Sequence, residues 1–122
     1  PLIRALLRKA SACAEREKAD LLIDAPPGVS CPVMTAAASA DAVVLVIDPT
    51  PFGVHDFKLA LRAFESLGKP MAAVINRSGQ PSATACEAEL IAFCGEKGLP
   101  VAARLSEAAR TLSTLFEGGR HA

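Results

Sequence analysis

Asp24-Ala25-Pro26-Pro27-Gly28 follows the apolar run Leu21-Leu22-Ile23, setting a carboxylate, a rigid turn and a residue without a side chain next to one another. A carboxylate at the carboxyl edge of a buried strand sits where open α/β sheets bind ligands. Such a group suits a hydrated Mg²⁺, which takes one or two protein carboxylates plus phosphate oxygens. Gly28 lets a backbone N–H approach a phosphate closely. The competing reading is a strand that stops at an Asp capping the next helix. Two further segments have a similar form: Asp48-Pro49-Thr50-Pro51, and Asn76-Arg77-Ser78-Gly79. Asn76 offers an acceptor and two donors, which suits a purine edge. Arg77 can stack, pair with phosphate, or form a surface salt bridge. Asp48 precedes a proline that restricts it to extended geometry, so it reads as a turn residue.

His55 and Cys31 have no legible catalytic partners. His55 reads as a capping or packing histidine and Cys31 as a packed thiol, and no Ser-His-Asp or Cys-His arrangement is present. Cys86 and Cys94 are eight residues apart, close to two helical turns, and read as small apolar side chains on one face. No cysteine pair has the spacing of a zinc or redox motif. All four thiols are expected to be reduced, in a cytoplasmic protein.

The elements that must position these residues follow from the apolar pattern. Four runs rich in Val, Ile or Leu, at 21–24, 42–48, 71–76 and 100–105, read as strands. They are continuous rather than alternating, as expected of parallel strands covered on both faces. Helical spacing predicts helices at the N-terminus, over 32–40, over 56–67 ending at Gly68, over 83–97 ending at Gly98, and over 106–117 with Ser106 as N-cap. The alternation predicts an α/β fold, a three-layer sandwich with a mainly parallel sheet. One domain is expected over 1–122, with 118–122 a disordered tail. In that arrangement Asp24, Asp48 and Asn76 share one sheet edge.

The 122 residues are 51% hydrophobic, with 13 basic and 13 acidic residues and no formal net charge. This composition is globular, and the charge balance gives no indication of nucleic acid or an anionic membrane as partner. No stretch is long and apolar enough to span a bilayer, and no signal peptide is read. Pro1 is read as an internal starting point.

These motifs together resemble a family. Leu21-Leu22-Ile23-Asp24-Ala25-Pro26-Pro27-Gly28-Val29-Ser30-Cys31-Pro32-Val33 resembles the Walker B and switch II region of the MinD/ParA/Mrp ATPases, nearest to the MinD-superfamily branch with an inserted ferredoxin domain. The run from Asp48-Pro49-Thr50-Pro51 through Phe57-Lys58-Leu59-Ala60 resembles that branch's next strand and helix, and Val74-Ile75-Asn76-Arg77 its base-recognition strand. The resemblance implies a P-loop NTPase-like domain, incomplete here, that dimerises around ATP. It implies that Asp24 holds Mg²⁺ through water, that Gly28 senses the γ-phosphate as part of switch II, and that Asn76, with Arg77 beside it, contacts adenine. No catalytic residue is assigned within the chain. The sequence departs from the family in having no G-x-x-x-x-G-K-[ST] loop, and Leu105-Ser106-Glu107 replaces the family's usual Pro-x-Asp turn.

The expectation is therefore the C-terminal part of a MinD/ParA-like ATPase domain, which lacks the Walker A region and is inactive alone. ATP and Mg²⁺ are its cofactors in the intact protein, and an iron–sulfur cluster enters only through upstream residues. Without the family's P-loop strand, 21–24 and 42–48 lose their shared neighbour, so either these strands pair directly or a homo-oligomer completes the sheet. The alternatives are a non-catalytic α/β interaction module without a phosphate site, and a small-molecule-binding domain that uses the Asp24, Asp48 and Asn76 edge.

Overall fold

The computed structural model describes residues 2–103 together with 107, 108, 110, 111 and 113. They form two compact units that divide between Ala40 and Asp41.

The first unit contains α1 (Leu2–Glu17) and α2 (Cys31–Ser39), which contact one another. α1 buries none of its residues. It ends at Lys18, whose φ of 51° turns the chain so that the Ala19 amide reaches the Ala14 carbonyl at 2.9 Å. α2 begins after Ser30, with Pro32 in its first turn, where a missing N–H costs nothing. Val33 and Ala37 are its buried residues.

Between these helices the predicted first strand is absent: residues 19–26 have no regular structure. Leu22 is 95% exposed. A short apolar run such as Leu21-Leu22-Ile23 becomes a strand only when a neighbour accepts its backbone hydrogen bonds. The sheet among the described residues has three strands, and 21–24 is none of them. The direct pairing of 21–24 with 42–48 is corrected by the same observation.

The second unit holds the parallel sheet, made of β1 (Val43–Ile47), β2 (Met71–Ile75) and β3 (Val101–Ala102) in the order β1-β2-β3. α3 (Pro51–Glu65) connects the first two strands and α4 (Thr84–Glu96) the last two. Both crossover helices pack on one face of the sheet. Their contact is the main core: Ile47, Ala73 and Ile75 from the strands, Val54, Phe57 and Leu61 from α3, and Leu90 and Cys94 from α4. Cys86 packs against this core, so both α4 cysteines are packed thiols on one face, as the spacing predicts. The two helices are also joined at their rims by Lys58–Glu89 at 2.6 Å, Lys97–Glu65 at 3.6 Å and an edge-to-face Phe57–Phe93 pair.

The opposite face is only partly covered. Val74 and Ala102 cluster there with Ala108. Val44 and Val46, which share that face with Ala72 and Val74 by register, are exposed, Val46 to 69%. Burial therefore alternates along β1, and the expectation of cover on both faces fails at this strand. β1 carries apolar residues on both sides, and among the described residues of this unit the helices that pack against it, α3 and α4, lie on one side.

α3 starts five residues earlier than the apolar stripe predicts. Thr50 caps it, its Oγ1 accepting from the Gly53 amide at 3.0 Å, and Pro51 follows in the first turn. A 3₁₀ turn at Pro81–Ala83 leads into α4. Gly68 and Gly98 both take a φ of 62° just beyond α3 and α4, the left-handed stop that glycine allows. Of the last predicted strand, Val101 and Ala102 are extended. Leu105, Ser106 and the tail 118–122 lie outside the described residues. Among the described residues no helix is long and apolar enough to cross a membrane.

Candidate functional site at the carboxyl edge of the sheet

The carboxyl ends of β1 and β2 lie side by side, and two short loops leave from them. After β1 the chain must turn at once from strand to helix. The Thr50 amide folds back on the Asp48 carbonyl at 2.8 Å, and the Val54 amide reaches the Thr50 carbonyl at 2.9 Å to begin α3. Gly53 makes this turn possible. A Cβ on it would lie 2.1 Å from the Asp48 carbonyl oxygen and 3.2 Å from Thr50 Oγ1.

The second loop is held from both sides. The Asn76 amide continues the ladder by donating to the Ile47 carbonyl at 2.8 Å. The Asn76 side chain then donates from Nδ2 to Asp48 Oδ1 at 3.1 Å. Arg77 takes a φ of 54°, a left-handed conformation uncommon for a side-chain-bearing residue. Its Nη1 lies 3.6 Å from Asp48 Oδ2, with both side chains well exposed. At the far end of the loop the Ser78 hydroxyl donates to Glu87 Oε1, and the Gly79 amide donates to Glu87 Oε2 at 3.0 Å. Glu87 stands in the first turn of α4, where the helix dipole favours a carboxylate. One carboxylate from each side thus brackets the loop that carries Asn76 and Arg77.

This arrangement differs from the sequence reading in one respect. Asp48 is more than a turn residue: both of its carboxylate oxygens face the neighbouring loop. Arg77 forms the expected surface ion pair, and Asp48 is its partner. An exposed pair at this distance contributes at most about 1 kcal/mol, so an incoming anion competes for the guanidinium at small cost. Thr50, Gly53 and Glu87 were not singled out in the sequence. The Thr-Pro pair was a legible helix start, whereas the reach of Glu87 back to Ser78 and Gly79 leaves no local pattern.

Asp24 and Gly28 belong to the first unit. Asp24 is exposed and lies in the irregular segment, and Gly28 has a φ of 89° in the bend before α2. That φ is one that glycine adopts without strain. A single exposed carboxylate fits a Mg²⁺ that keeps most of its waters and takes its remaining ligands from phosphate. A cage built from protein ligands does not fit: among the described residues no group of three or more His, Cys, Asp and Glu is placed to hold a metal. The cysteines offer no cluster site by the same test. Cys13 and Cys31 are exposed, Cys86 is partly buried and Cys94 is buried. Burial raises the Cys94 thiol pKa and keeps it protonated.

An open groove of about 320 Å³ lies between α3 and α4 and is lined by Pro51, Val54, His55, Lys58, Cys86 and Glu89. The Lys58–Glu89 ion pair joins two of its lining residues. His55 is one of the residues that line this groove.

Comparison with known proteins gives two relatives from Methanocaldococcus jannaschii. The chain is 41% identical to the uncharacterized protein MJ0579 over 58 residues, covering 48% of this chain and 22% of that protein. It is 38% identical to the uncharacterized protein MJ0578 over 55 residues, covering 44% of this chain and 19% of that protein. The matches thus span about a fifth of the length of these curated relatives. No family model matches the chain. No solved structure matches it significantly.

Proposed function

We propose that this chain is the C-terminal part of a MinD/ParA-like ATPase domain. Its loops after β1 and β2 contact the adenine of ATP, and the intact protein uses hydrolysis to act on a partner. The observation that carries the reading is the placement of Asn76 and Arg77 beside Asp48 at the carboxyl ends of adjacent parallel strands. Ligands bind at that edge in open α/β sheets, and an amide beside a guanidinium suits a base joined to an anion. The order of the three sequence motifs supports the same assignment.

In this reading Asp24 engages the hydrated Mg²⁺ and Gly28 lies against the γ-phosphate. The phosphate cradle, and with it most of the affinity, comes from residues outside this chain. Any iron–sulfur or redox role belongs to those residues too. The site is cytoplasmic, and a homo-oligomer completes the sheet beyond β1. The test is turnover in the intact protein. Asp24→Asn cuts Mg²⁺-dependent ATP hydrolysis strongly while leaving the fold unchanged, and unaltered turnover removes Asp24 from the mechanism.

One observation favours a second reading, a non-catalytic α/β interaction module. Residues 21–24, which the ATPase reading needs as a strand, are irregular. The coding sequence upstream of Pro1 separates the two. A glycine-lysine loop there supports the ATPase, and its absence supports the module.

A further inference from the structure

Asn76 carries a symmetric-looking amide, and a binding site that relies on it must fix which end faces the ligand. An unconstrained amide turns over and pairs with either purine. Adenine presents an acceptor at N7 and a donor at its 6-amino group, whereas guanine presents acceptors at both N7 and O6. An amide that shows its oxygen and one N–H together matches adenine and sets an oxygen against O6 of guanine.

The structure supplies the constraint. Asn76 Nδ2 lies 3.1 Å from Asp48 Oδ1. An ionised carboxylate only accepts hydrogen bonds, so the nitrogen end of the amide must face it. The Asn76 backbone is fixed as well, through the hydrogen bond that its N–H donates to the Ile47 carbonyl at 2.8 Å. The other Asp48 oxygen faces Arg77 Nη1 at 3.6 Å, so both carboxylate oxygens are turned toward donors of the second loop. One amide hydrogen is engaged by Asp48, which leaves the oxygen and the second hydrogen for a ligand.

We infer that Asp48 is a positioning residue that sets base specificity: by locking the Asn76 amide it selects a 6-aminopurine over a 6-oxopurine. The inference rests on the proposed nucleotide contact at this loop and adds to it the residue that decides which base is taken. Asp48 touches no base itself and acts through Asn76.

The test follows backbone and side-chain amide NMR signals of the 122-residue chain during titration with AMP, GMP and IMP at millimolar concentration. The expected result is that AMP shifts the signals of Asn76 and Arg77 and binds about tenfold more tightly than GMP, the scale of one well-made bidentate base contact. IMP carries an oxygen in place of the 6-amino group, and it follows GMP. In Asp48→Asn the residue at 48 donates as well as accepts, the Asn76 amide turns over, and the AMP-to-GMP ratio falls to about one, the loss of that same contact. Asp48→Glu keeps an acceptor-only group and restores part of the preference. A merely structural role for Asp48 would weaken AMP and GMP equally and leave the ratio unchanged. An unchanged ratio in Asp48→Asn overturns the inference while leaving the nucleotide contact standing, as does a wild-type chain that binds AMP and IMP alike. If none of the three nucleotides moves the Asn76 and Arg77 signals, the underlying reading falls and the inference with it.

Discussion

Asn76 and Asp48 are 28 residues apart in sequence, yet the Asn76 side-chain amide donates to the Asp48 carboxylate at 3.1 Å. This bond joins the loop after β2 to the loop after β1, and it sets Asn76 and Arg77 at one place on the sheet edge. Most of what can be tested about this chain follows from how the two loops are held.

Glu87 holds the other end of the second loop. Replacing it with alanine removes the acceptor for the Ser78 hydroxyl and the Gly79 amide together. We expect Glu87→Ala to cost about 1–3 kcal/mol in urea unfolding, the range for polar groups left without partners. Exchange of the Gly79 amide with solvent speeds up at the same time. A stability change near zero with Gly79 still protected would show that other contacts fix the loop.

Gly53 tests the first loop. A methyl group there collides with the Asp48 carbonyl, which belongs to backbone and cannot swing aside. Gly53→Ala should therefore destabilise by about 2 kcal/mol or more, the scale of strain in a packed site. Gly95 is the control. It lies in α4 with open space where a Cβ would go, so Gly95→Ala should be neutral or stabilising by up to about 1 kcal/mol. Equal effects at the two positions would contradict the packing described for the turn.

The irregular course of 21–24 makes a prediction opposite to that of a buried strand. Leu22→Ser should change stability by no more than about 0.5 kcal/mol, as for an exposed site. Leu90→Ala, which empties a fully buried position under the sheet, should cost about 2–5 kcal/mol. A large loss for Leu22→Ser would place that segment in a core.

The cysteines divide by exposure. Cys13 and Cys31 should react rapidly with a thiol reagent under native conditions, and Cys94 only after unfolding. Burial raises the Cys94 pKa, so the folded chain holds that proton more tightly than the unfolded chain does. Its contribution to stability is complete below the ordinary thiol range. It declines as pH rises from there toward the raised value. Rapid native-state labelling of Cys94 would contradict its place beneath the sheet.

How much of this was legible in the sequence differs by element. Val43-Val44-Leu45-Val46-Ile47 and Met71-Ala72-Ala73-Val74-Ile75 are strands because each has a parallel neighbour, and their composition already pointed that way. Gly68 and Gly98 marked helix ends through a conformation that other residues resist. Leu21-Leu22-Ile23 has equal apolar character, but strand formation depends on a partner that local composition does not encode. The start of α3 was written in Thr50 and Pro51, and it was masked by an apolar face that becomes regular only further along. The Asp48–Asn76 bond is a product of strand register, and Glu87 reaches Ser78 and Gly79 through the fold of the loop before α4; no local pattern carries either. Asn76 and Arg77 were visible as candidates, while the residues that hold them were not.

In the proposed function the loops after β1 and β2 contact adenine as part of a larger ATP site. The most direct measurement is an NMR titration of the 122-residue chain with ATP, with and without Mg²⁺. Weak binding is expected, with a Kd on the order of millimolar, because base contacts alone supply only a few kcal/mol. The shifts are expected to centre on Asn76, Arg77 and the Asp48–Thr50 turn, and Mg²⁺ to make little difference. Shifts confined to the groove between α3 and α4, or none at all, would contradict the adenine contact. Tight Mg²⁺-dependent binding would contradict the claim that this chain holds only part of the site.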